Sequence, residues 1–133
     1  MTIELTGAHH LRVPVGDLEV ARGFWCDVLG YEWDFDFGDD GVGLRHAHGG
    51  PNVVLWHAPE VASATEGFTL FGIGVPDRIA LEKVRELLDA RGVAHAGIQP
   101  AFVEAKLPGV RTPDGALVGF YVKPGAEVAP ATG

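Results

Sequence analysis

Near the start of the chain, the apolar residues change from a continuous run to a helical spacing. Residues 9–15 are mostly apolar and β-branched, which predicts a strand. Asp17 and Gly30 have the residue types that begin and end helices, a capping carboxylate and a glycine beyond the last turn. The apolar positions on one side of this helix are Leu18, Ala21, Phe24, Trp25, Val28 and Leu29. A strand followed by an amphipathic helix is therefore predicted.

Three short strands are predicted after this helix. Residues 31–37 alternate aromatic with acidic side chains, which is typical of a strand, and residues 38–41 form a turn of glycines and aspartates. Residues 42–46 and 52–57 are then predicted to form a hairpin. The first half of the chain therefore has the order βαβββ.

The same order returns sixty residues later, since Asp77 corresponds to Asp17. Asp77 and Gly92 bound a second predicted helix, whose expected buried positions are Ile79, Leu81, Val84, Leu87 and Leu88. The strands predicted around this helix are residues 68–75, 93–99, 102–110 and 116–122. Residues 58–67 are interpreted as a linker and residues 125–133 as a frayed tail.

This repeat predicts an α+β fold. We expect one domain over residues 1–133, built from two tandem βαβββ modules at about residues 6–59 and 68–124. The two modules are expected to form a curved mixed sheet around a cleft, with the helices on its outer face.

Composition and charge narrow the expected partners and location. Apolar residues make up 47% of the chain and charged residues 21%, which is ordinary for a globular domain. The net charge of −8 repels phosphate backbones and anionic lipid, so neither nucleic acid nor a membrane is an expected partner. Cys26 is the only cysteine, so no disulfide framework exists, and no apolar run approaches the roughly 20 residues of a membrane span. We expect a cytoplasmic protein.

Two segments resemble a known superfamily. The segment HHLRVPVGDLEVARGFWCDVLGYEW, residues 9–33, resembles the opening strand and helix of the vicinal oxygen chelate superfamily, which includes glyoxalases, bleomycin resistance proteins and dioxygenases. The segment TPDGALVGFYVKP, residues 112–124, resembles its closing hairpin. With the repeat spacing, the resemblance covers residues 6–124. It specifies the fold better than the function, because the superfamily contains isomerases, dioxygenases, lyases, epimerases, thiol transferases and drug-binding proteins.

The resemblance also implies where a metal would bind. Enzymes of the superfamily carry metal ligands on the first and last strands of each module, and the corresponding positions in this chain are His10, Val54, Leu70 and Gly119. Only His10 offers a donor atom, whereas a divalent ion needs three or four converging ligands. We therefore expect no metal, no cofactor and no catalytic residue at this site.

Strand parity predicts the surface that would bind a ligand. Alternate residues of the first and last strands form an apolar face suited to packing under helices, and the other face lines the cleft. The expected ligand-binding residues are His10, Arg12, Trp33, Asn52, Val54, Trp56, Leu70, Gly72, Gly119 and Tyr121. Glycines on this face would leave room, and Trp56 and Tyr121 occupy equivalent repeat positions as aromatic walls, which predicts a pocket for a flat ligand.

Several of these residues have simpler explanations. A glycine within a strand more often marks a bulge than a gap for a ligand, and Trp56 and Tyr121 could simply fill the cleft. His10 could be hydrogen-bonded to Arg12 or Asn52 instead of contacting a ligand. The neighbouring histidines of one hairpin could bind adventitious metal, but surface histidines near turns are common: His46, His48 and His57.

Parity alone does not orient strand 31–37. If its aromatic residues pack under the helix, Glu32, Asp34 and Asp36 line the cleft and attract a cationic drug. If they face the cleft or a partner subunit, Trp33 becomes a second stacking surface. We favour packed aromatics, with Trp33 near the edge of the pocket.

Two functions follow from these expectations. The first is a non-catalytic protein that sequesters an antibiotic by binding a small aromatic drug, as the resemblance to the bleomycin-resistance branch implies. That branch also implies a homodimer in which modules or an opening strand are exchanged. The alternative is a lyase, isomerase or dioxygenase, with or without metal, using His10 and Arg12 as acid–base or electrostatic groups.

Overall fold

The computed structural model describes residues 2–101 and 104–122. The chain divides into two compact units, Met1–Ala64 and Thr65–Gly133. The predicted tail and the last two residues of the second predicted module lie outside the described residues, as do the first two residues of the strand predicted at 102–110.

The first unit contains one four-stranded sheet. Its elements are β1 (His10–Val15), α1 (Leu18–Arg22) continued by a π-helical segment (Gly23–Val28), β2 (Tyr31–Asp36), β3 (Gly41–His46), β4 (Asn52–His57) and α2 (Pro59–Ala64). The strand order is β1-β4-β3-β2, in which β1 and β4 are parallel and the other pairs are antiparallel.

The second unit repeats this topology. Its elements are β5 (Thr69–Val75), α3 (Arg78–Ala90), β6 (Gln99–Pro100), β7 (Ala105–Arg111) and β8 (Leu117–Val122). The order β5-β8-β7-β6 again places the first and last strands side by side and parallel. The predicted α+β fold of two tandem βαβββ modules is confirmed, as two four-stranded mixed sheets.

Both predicted helix starts are confirmed by their caps. The carboxylate of Asp17 accepts a hydrogen bond from the Val20 amide at 3.0 Å, and that of Asp77 accepts one from the Ala80 amide at 2.8 Å. Each carboxylate satisfies an amide that has no partner within the helix. Gly30 follows the first helix with φ of 81°, a left-handed conformation that glycine adopts without steric cost.

One face of each sheet is buried as parity predicts. In the first unit, Val13, Val15, Val53 and Leu55 are buried on the side where α1 packs, together with Trp25 of the π-helical segment. In the second unit the corresponding side is covered by α3, and its buried residues are Val75, Val118, Phe120 and Val122. The alternating strand pattern therefore assigned these residues to the correct face.

Helix α3 buries fewer residues than its apolar pattern predicts. Leu81 and Leu88 are fully buried, but Ile79 is 67% exposed and Leu87 is 39% exposed. A single helix packed on a sheet covers only a narrow stripe, which here contains Leu81 and Leu88, seven residues apart. Ile79 and Leu87 lie outside that stripe.

The segment interpreted as a linker contains helix α2. Pro59 occupies its first position, where the absence of an amide hydrogen costs nothing, and Ala62 is fully buried as α2 packs against β1. Within residues 2–101 and 104–122, no helix has both the length and the apolar character that crossing a bilayer requires.

The strand predicted at 93–99 is mostly irregular. Ala96 donates a backbone hydrogen bond to Pro108, but Gly97 has φ of 80°, which interrupts a strand. His95 accepts a hydrogen bond from the Gly97 amide at 3.0 Å, and its other ring nitrogen lies 2.6 Å from the Asp89 carboxylate. These side-chain bonds stabilise a loop that is joined to β7 by isolated backbone hydrogen bonds of Ala94 and Ala96. In the described part of this segment, the regular ladder with β7 is formed by the two residues of β6.

The adjacent leucines of α3 provide a matched test of this packing. Leu88→Ala should lower the free energy of unfolding by roughly 2–5 kcal/mol, because it leaves a cavity in the core. Leu87→Ala makes the same chemical change at a partly exposed position. It should lower the free energy of unfolding by less than about half of the loss expected for Leu88→Ala. Urea unfolding of both variants measures the difference. Equal losses would contradict the burial described here.

Candidate functional site

A β-bulge in β2 decides which aromatic residues lie on which side of the first sheet. Trp33 pairs with Leu44, but the next pairing joins Phe35 to Gly43, so Asp34 is the extra residue. An extra residue reverses the alternation of side chains beyond it. Tyr31 and Trp33 therefore lie on one face of the sheet and Phe35 on the other.

Tyr31 and Trp33 lie on the helix side. The rings of Tyr31 and Trp25 are 5.5 Å apart, and the Trp33 indole nitrogen donates a hydrogen bond to Asp36 at 3.0 Å. Trp33 is therefore separated by the sheet from Trp56, although we expected it at the edge of the same pocket. Both orientations considered for residues 31–37 occur, one on each side of Asp34.

We call the opposite side of this sheet the far face. It carries Arg12 of β1, Val54 of β4 and Gly43 of β3, which lie side by side across the three strands. Three aromatic rings lie on it. The ring centroids of Phe35 and Phe37 are 4.9 Å apart, and those of Phe37 and Trp56 are 5.7 Å apart. Both contacts are edge-to-face, the arrangement that aromatic quadrupoles favour.

Glycines of β3 make room for these rings. A Cβ atom at Gly41 would lie 2.7 Å from the Trp56 ring, and one at Gly43 would lie 2.6 Å from the Phe35 ring. No side chain fits at either position without displacing the ring. These two glycines therefore allow the aromatic rings to lie close to the backbone of β3.

Arg12 lies over Trp56. Its guanidinium carbon is 4.7 Å from the centroid of the indole ring, which is a cation–π contact. Among the described residues, no carboxylate lies within 4.0 Å of this guanidinium. Arg12 is also exposed, so its charge remains accessible.

The acidic residues of β2 do not line a single surface. Arg45 lies 3.7 Å from Glu32 and 3.8 Å from Asp34, while Asp36 accepts the hydrogen bond of Trp33. Asp36 lies on the helix side with Trp33, while Glu32 and Asp34 share the one guanidinium of Arg45. The attraction of these acids for a cationic drug stays a prediction.

In the second unit, the ring of Tyr121 covers the predicted glycine gap. A Cβ atom at Gly72 would lie 2.8 Å from this ring, and one at Gly119 would lie 3.0 Å from it. The space left by these two glycines is therefore occupied by Tyr121. Lys106 pairs with Tyr121 across β7 and β8 and lies on the same side.

The remaining predicted site residues differ in accessibility. His10 is exposed, and its ring nitrogen lies 3.1 Å from that of His9; among the described residues, no hydrogen bond joins it to Arg12 or Asn52. Asn52 aligns with His10 and is half-buried, as is Leu70. Val54 is only 3% exposed and presents almost no surface to a ligand.

The side chains at the four positions that the superfamily uses for a metal do not fit one. His10 offers a nitrogen, but Val54, Leu70 and Gly119 have no donor atom. Among residues 2–101 and 104–122, no three histidine, cysteine or acidic side chains converge to hold an ion.

One histidine of the first hairpin, His46, is held by the backbone. A ring nitrogen of His46 lies 3.3 Å from the Leu29 carbonyl, and the other accepts a hydrogen bond from the His48 amide at 3.2 Å. Because both nitrogens of His46 are occupied by the backbone, its ring is not available as a metal ligand.

A depression of about 360 Å³ lies on the helix side of the first sheet. Arg22, Cys26, Tyr31 and Trp33 contribute to its lining. Burial raises the pKa of the Cys26 thiol, an effect that Arg22 partly offsets, so the thiol is protonated at neutral pH. This depression is separate from the far face, and its thiol is not an activated nucleophile.

Sequence reasoning missed Phe35, Phe37, Gly41 and Gly43 as parts of the far face. The four aromatics of residues 31–37 were visible, but nothing in their alternation marks Asp34 as a bulge. The sequence signal that could have found them is the glycine pair in β3, two residues apart and opposite an aromatic strand.

Similar folds occur in proteins with different functions. The lactoylglutathione lyase of Agrobacterium tumefaciens has a TM-score of 0.74 and 16% identity, covering 94% of this chain and 98% of that one. The bleomycin-binding protein of Streptomyces verticillus, complexed with copper(II)-bleomycin, has a TM-score of 0.71 and 22% identity, covering 92% and 99%. The fosfomycin resistance protein FosX of Listeria monocytogenes has a TM-score of 0.73 and 14% identity, covering 93% and 98%. At these identities the likeness establishes the fold alone.

Sequence comparison supplies the family. A search of curated proteins returned no match. The sequence pattern of one family matches residues 7–120, which is most of the chain and includes both modules. On this match, and on the repeated topology of its two sheets, the chain belongs to the Glyoxalase/Bleomycin resistance protein/Dioxygenase superfamily.

Proposed function

We propose that this protein binds a small molecule with a flat aromatic part and sequesters it, as an antibiotic-binding protein does, without metal chemistry. The observation that carries the proposal is the cluster of Phe35, Phe37, Trp56 and Arg12 on the far face. Aromatic rings and a cation on one surface can bind a flat ligand through apolar contact, stacking and charge.

The rings of this cluster are held in position before any ligand binds. Phe35 lies against Gly43 and Trp56 against Gly41, so that each ring rests on the backbone of β3. Phe35 is nevertheless 40% exposed and Trp56 half-buried, which leaves apolar surface for a ligand to cover. A rigid surface loses little conformational entropy on binding, and this favours affinity.

The proposed ligand-binding residues are those that present surface on the two sheets. In the first unit, Arg12 and Trp56 are joined by Phe35 and Phe37, with His10 and Asn52 next to them along the strands. In the second unit, Tyr121 is the aromatic residue, supported by Gly72 and Gly119. Leu70, also proposed, is half-buried and is the extra residue at a register shift between β5 and β8. Val54 supports the first surface from within the sheet, and Trp33 belongs to its other side.

Two solved structures of similar fold support sequestration of an antibiotic. One is the bleomycin-binding protein described above, and another is TnmS3, an antibiotic binding protein from a Streptomyces species. The enzymatic alternative is also compatible with this fold, because a lactoylglutathione lyase has a similar structure. The absence of donor atoms at Val54, Leu70 and Gly119 favours binding over metal-dependent chemistry.

Metal content separates the two functions. The purified protein should hold much less than one divalent ion per chain after dialysis, because His10 alone cannot retain an ion against water. Elemental analysis of the wild type and of His10→Ala should give the same low value. A tightly held ion that disappears in His10→Ala, with metal-dependent turnover of a screened substrate, would instead support the lyase or isomerase.

We also propose that the protein is a homodimer. Strand β2 lies at the edge of its sheet, and Trp33 is 47% exposed there, so this edge offers apolar surface and unpaired backbone groups. Sedimentation at micromolar concentration should show a dimer that Trp33→Gln weakens. Ile79→Gln on α3 removes a similar exposed residue in the other unit and should have no effect. A monomer at every concentration would exclude the dimer.

Truncating Trp56 should weaken ligand binding more than it destabilises the fold. A screen of aromatic antibiotics by tryptophan fluorescence quenching first identifies a ligand. Trp56→Ala should then cost roughly 1–3 kcal/mol of binding free energy, from lost aromatic area and from the loss of the ring that supports Arg12. Leu55→Ala, on the buried side of the same strand, should instead lose roughly 2–5 kcal/mol of stability.

Gly119→Leu tests the surface of the second unit. The added side chain would displace the Tyr121 ring and should weaken binding while leaving the helix side unchanged. Calorimetric titration and thermal melting of each variant give affinity and stability. Unchanged affinity in Trp56→Ala would exclude the surface of the first unit, and unchanged affinity in Gly119→Leu would exclude that of the second.

A further inference from the structure

We infer that Arg12, held over the indole ring of Trp56, binds an acidic oxygen group on the ligand, and that the ligand class is therefore planar aromatic carboxylates. This inference rests on the proposed function, since it names the chemistry of the molecule that the far face would bind. It makes Arg12 the residue that determines specificity and Trp56 a positioning residue that acts through it.

Trp56 is already contacted on several sides by the protein. Its six-membered ring lies against Gly41, its edge meets Phe37, and the guanidinium of Arg12 lies over it. An incoming molecule therefore meets the guanidinium before it meets the indole. Since Arg12 is exposed while Trp56 is half-buried, the accessible surface at this point is that of the arginine.

A guanidinium held over a ring is suited to a carboxylate. Its N–H donors point outward in the plane of the group, and two parallel donors match the two oxygens of a carboxylate. The contact with Trp56 restricts the long, flexible side chain of Arg12, so less rotamer freedom is lost when a ligand binds. Planar aromatic groups can then stack on the guanidinium or pack against Phe35 and Phe37.

The local charge also favours an anion. The other arginine of this side, Arg45, is engaged by Glu32 and Asp34, while Arg12 has no carboxylate within 4.0 Å among the described residues. The net charge of −8 opposes anion binding at long range. At physiological salt, however, exposed charges are screened beyond about 8 Å, so the direct contact with Arg12 decides the preference.

Three naphthalene probes of the same size and different charge test this inference. Calorimetric titration compares 2-naphthoate, which is anionic, with the neutral 2-naphthamide and the cationic 2-naphthylmethylammonium. The full-length protein should bind 2-naphthoate tightest, roughly ten-fold or more above the amide, because hydrogen bonds to charged groups exceed neutral ones by that order. Added salt should weaken the binding of 2-naphthoate more than that of the amide.

Substitution of Arg12 should remove the preference selectively. Arg12→Gln keeps a polar side chain but no charge. It should lower the affinity for 2-naphthoate roughly ten-fold and change the affinity for 2-naphthamide little. Arg22→Gln removes the same charge from the helix side of the same unit and should leave all three affinities unchanged. Arg12→Lys keeps the charge without the planar fork and should recover only part of the preference.

The positioning of Arg12 by Trp56 can be tested separately from stacking of the ligand on Trp56. If it positions Arg12, Trp56→Ala should reduce the ratio of 2-naphthoate to 2-naphthamide affinity, and Trp56→Phe should restore most of that ratio. In the Arg12→Gln background, Trp56→Ala should leave the ratio unchanged. A ratio that Trp56→Ala does not alter in the presence of Arg12 would overturn the positioning role.

The two proposals fail in different ways. If none of the three probes binds, or if Trp56→Ala alters no affinity, the proposed binding function of the far face is wrong and the inference about Arg12 falls with it. If all three probes bind equally, if the cation binds tightest, or if Arg12→Gln weakens all three alike, the binding function stands and the carboxylate preference is wrong.

Discussion

The parallel pairing between the first and last strands of each module is the constraint on which the rest of this structure depends. It brings residues that are far apart in the sequence, such as Arg12 and Val54, side by side at a fixed register. Because side chains alternate along a strand, that register also divides every residue of β1 and β4 between a side packed under the helix and a far side. The same pairing in the second unit places Gly72 beside Gly119, so both modules have a far face of small and aromatic residues.

Aromatic rings lying on glycines give these faces their shape. Trp56 and Phe35 rest on glycines of β3, and Tyr121 rests on glycines of β5 and β8. In each case a residue without a side chain allows a ring to pack close to a neighbouring backbone. The glycines thus contribute to a binding surface by fixing the rings, whereas the sequence had suggested that they leave space. In the first unit the rings support a guanidinium, so the outermost group of the surface is a cation.

Most of the architecture could be predicted because its signals are local. Asp17, Asp77 and Gly30 each act within a few residues, and the apolar alternation of residues 52–57 assigned Val53 and Leu55 to the correct side. The candidate site was harder to predict, because it depends on contacts between strands. The bulge at Asp34 has no glycine or proline to mark it, and the packing of Phe35 on Gly43 requires the strand order to be known. Helix α3 shows the same difficulty: its apolar residues were visible, but which of them are buried depends on the width of its contact with the sheet.

The bulge in β2 has a consequence for how such a protein could diverge. If Asp34 paired regularly with Gly43 in place of the bulge, Phe35 would turn toward the helix and the ring that now covers Gly43 would be removed. One change in pairing register would thus alter several side-chain directions together, which the replacement of one exposed side chain by another does not do. Among relatives with this topology, the presence or absence of this bulge would then distinguish groups with different ligands more sharply than the identity of any one side chain.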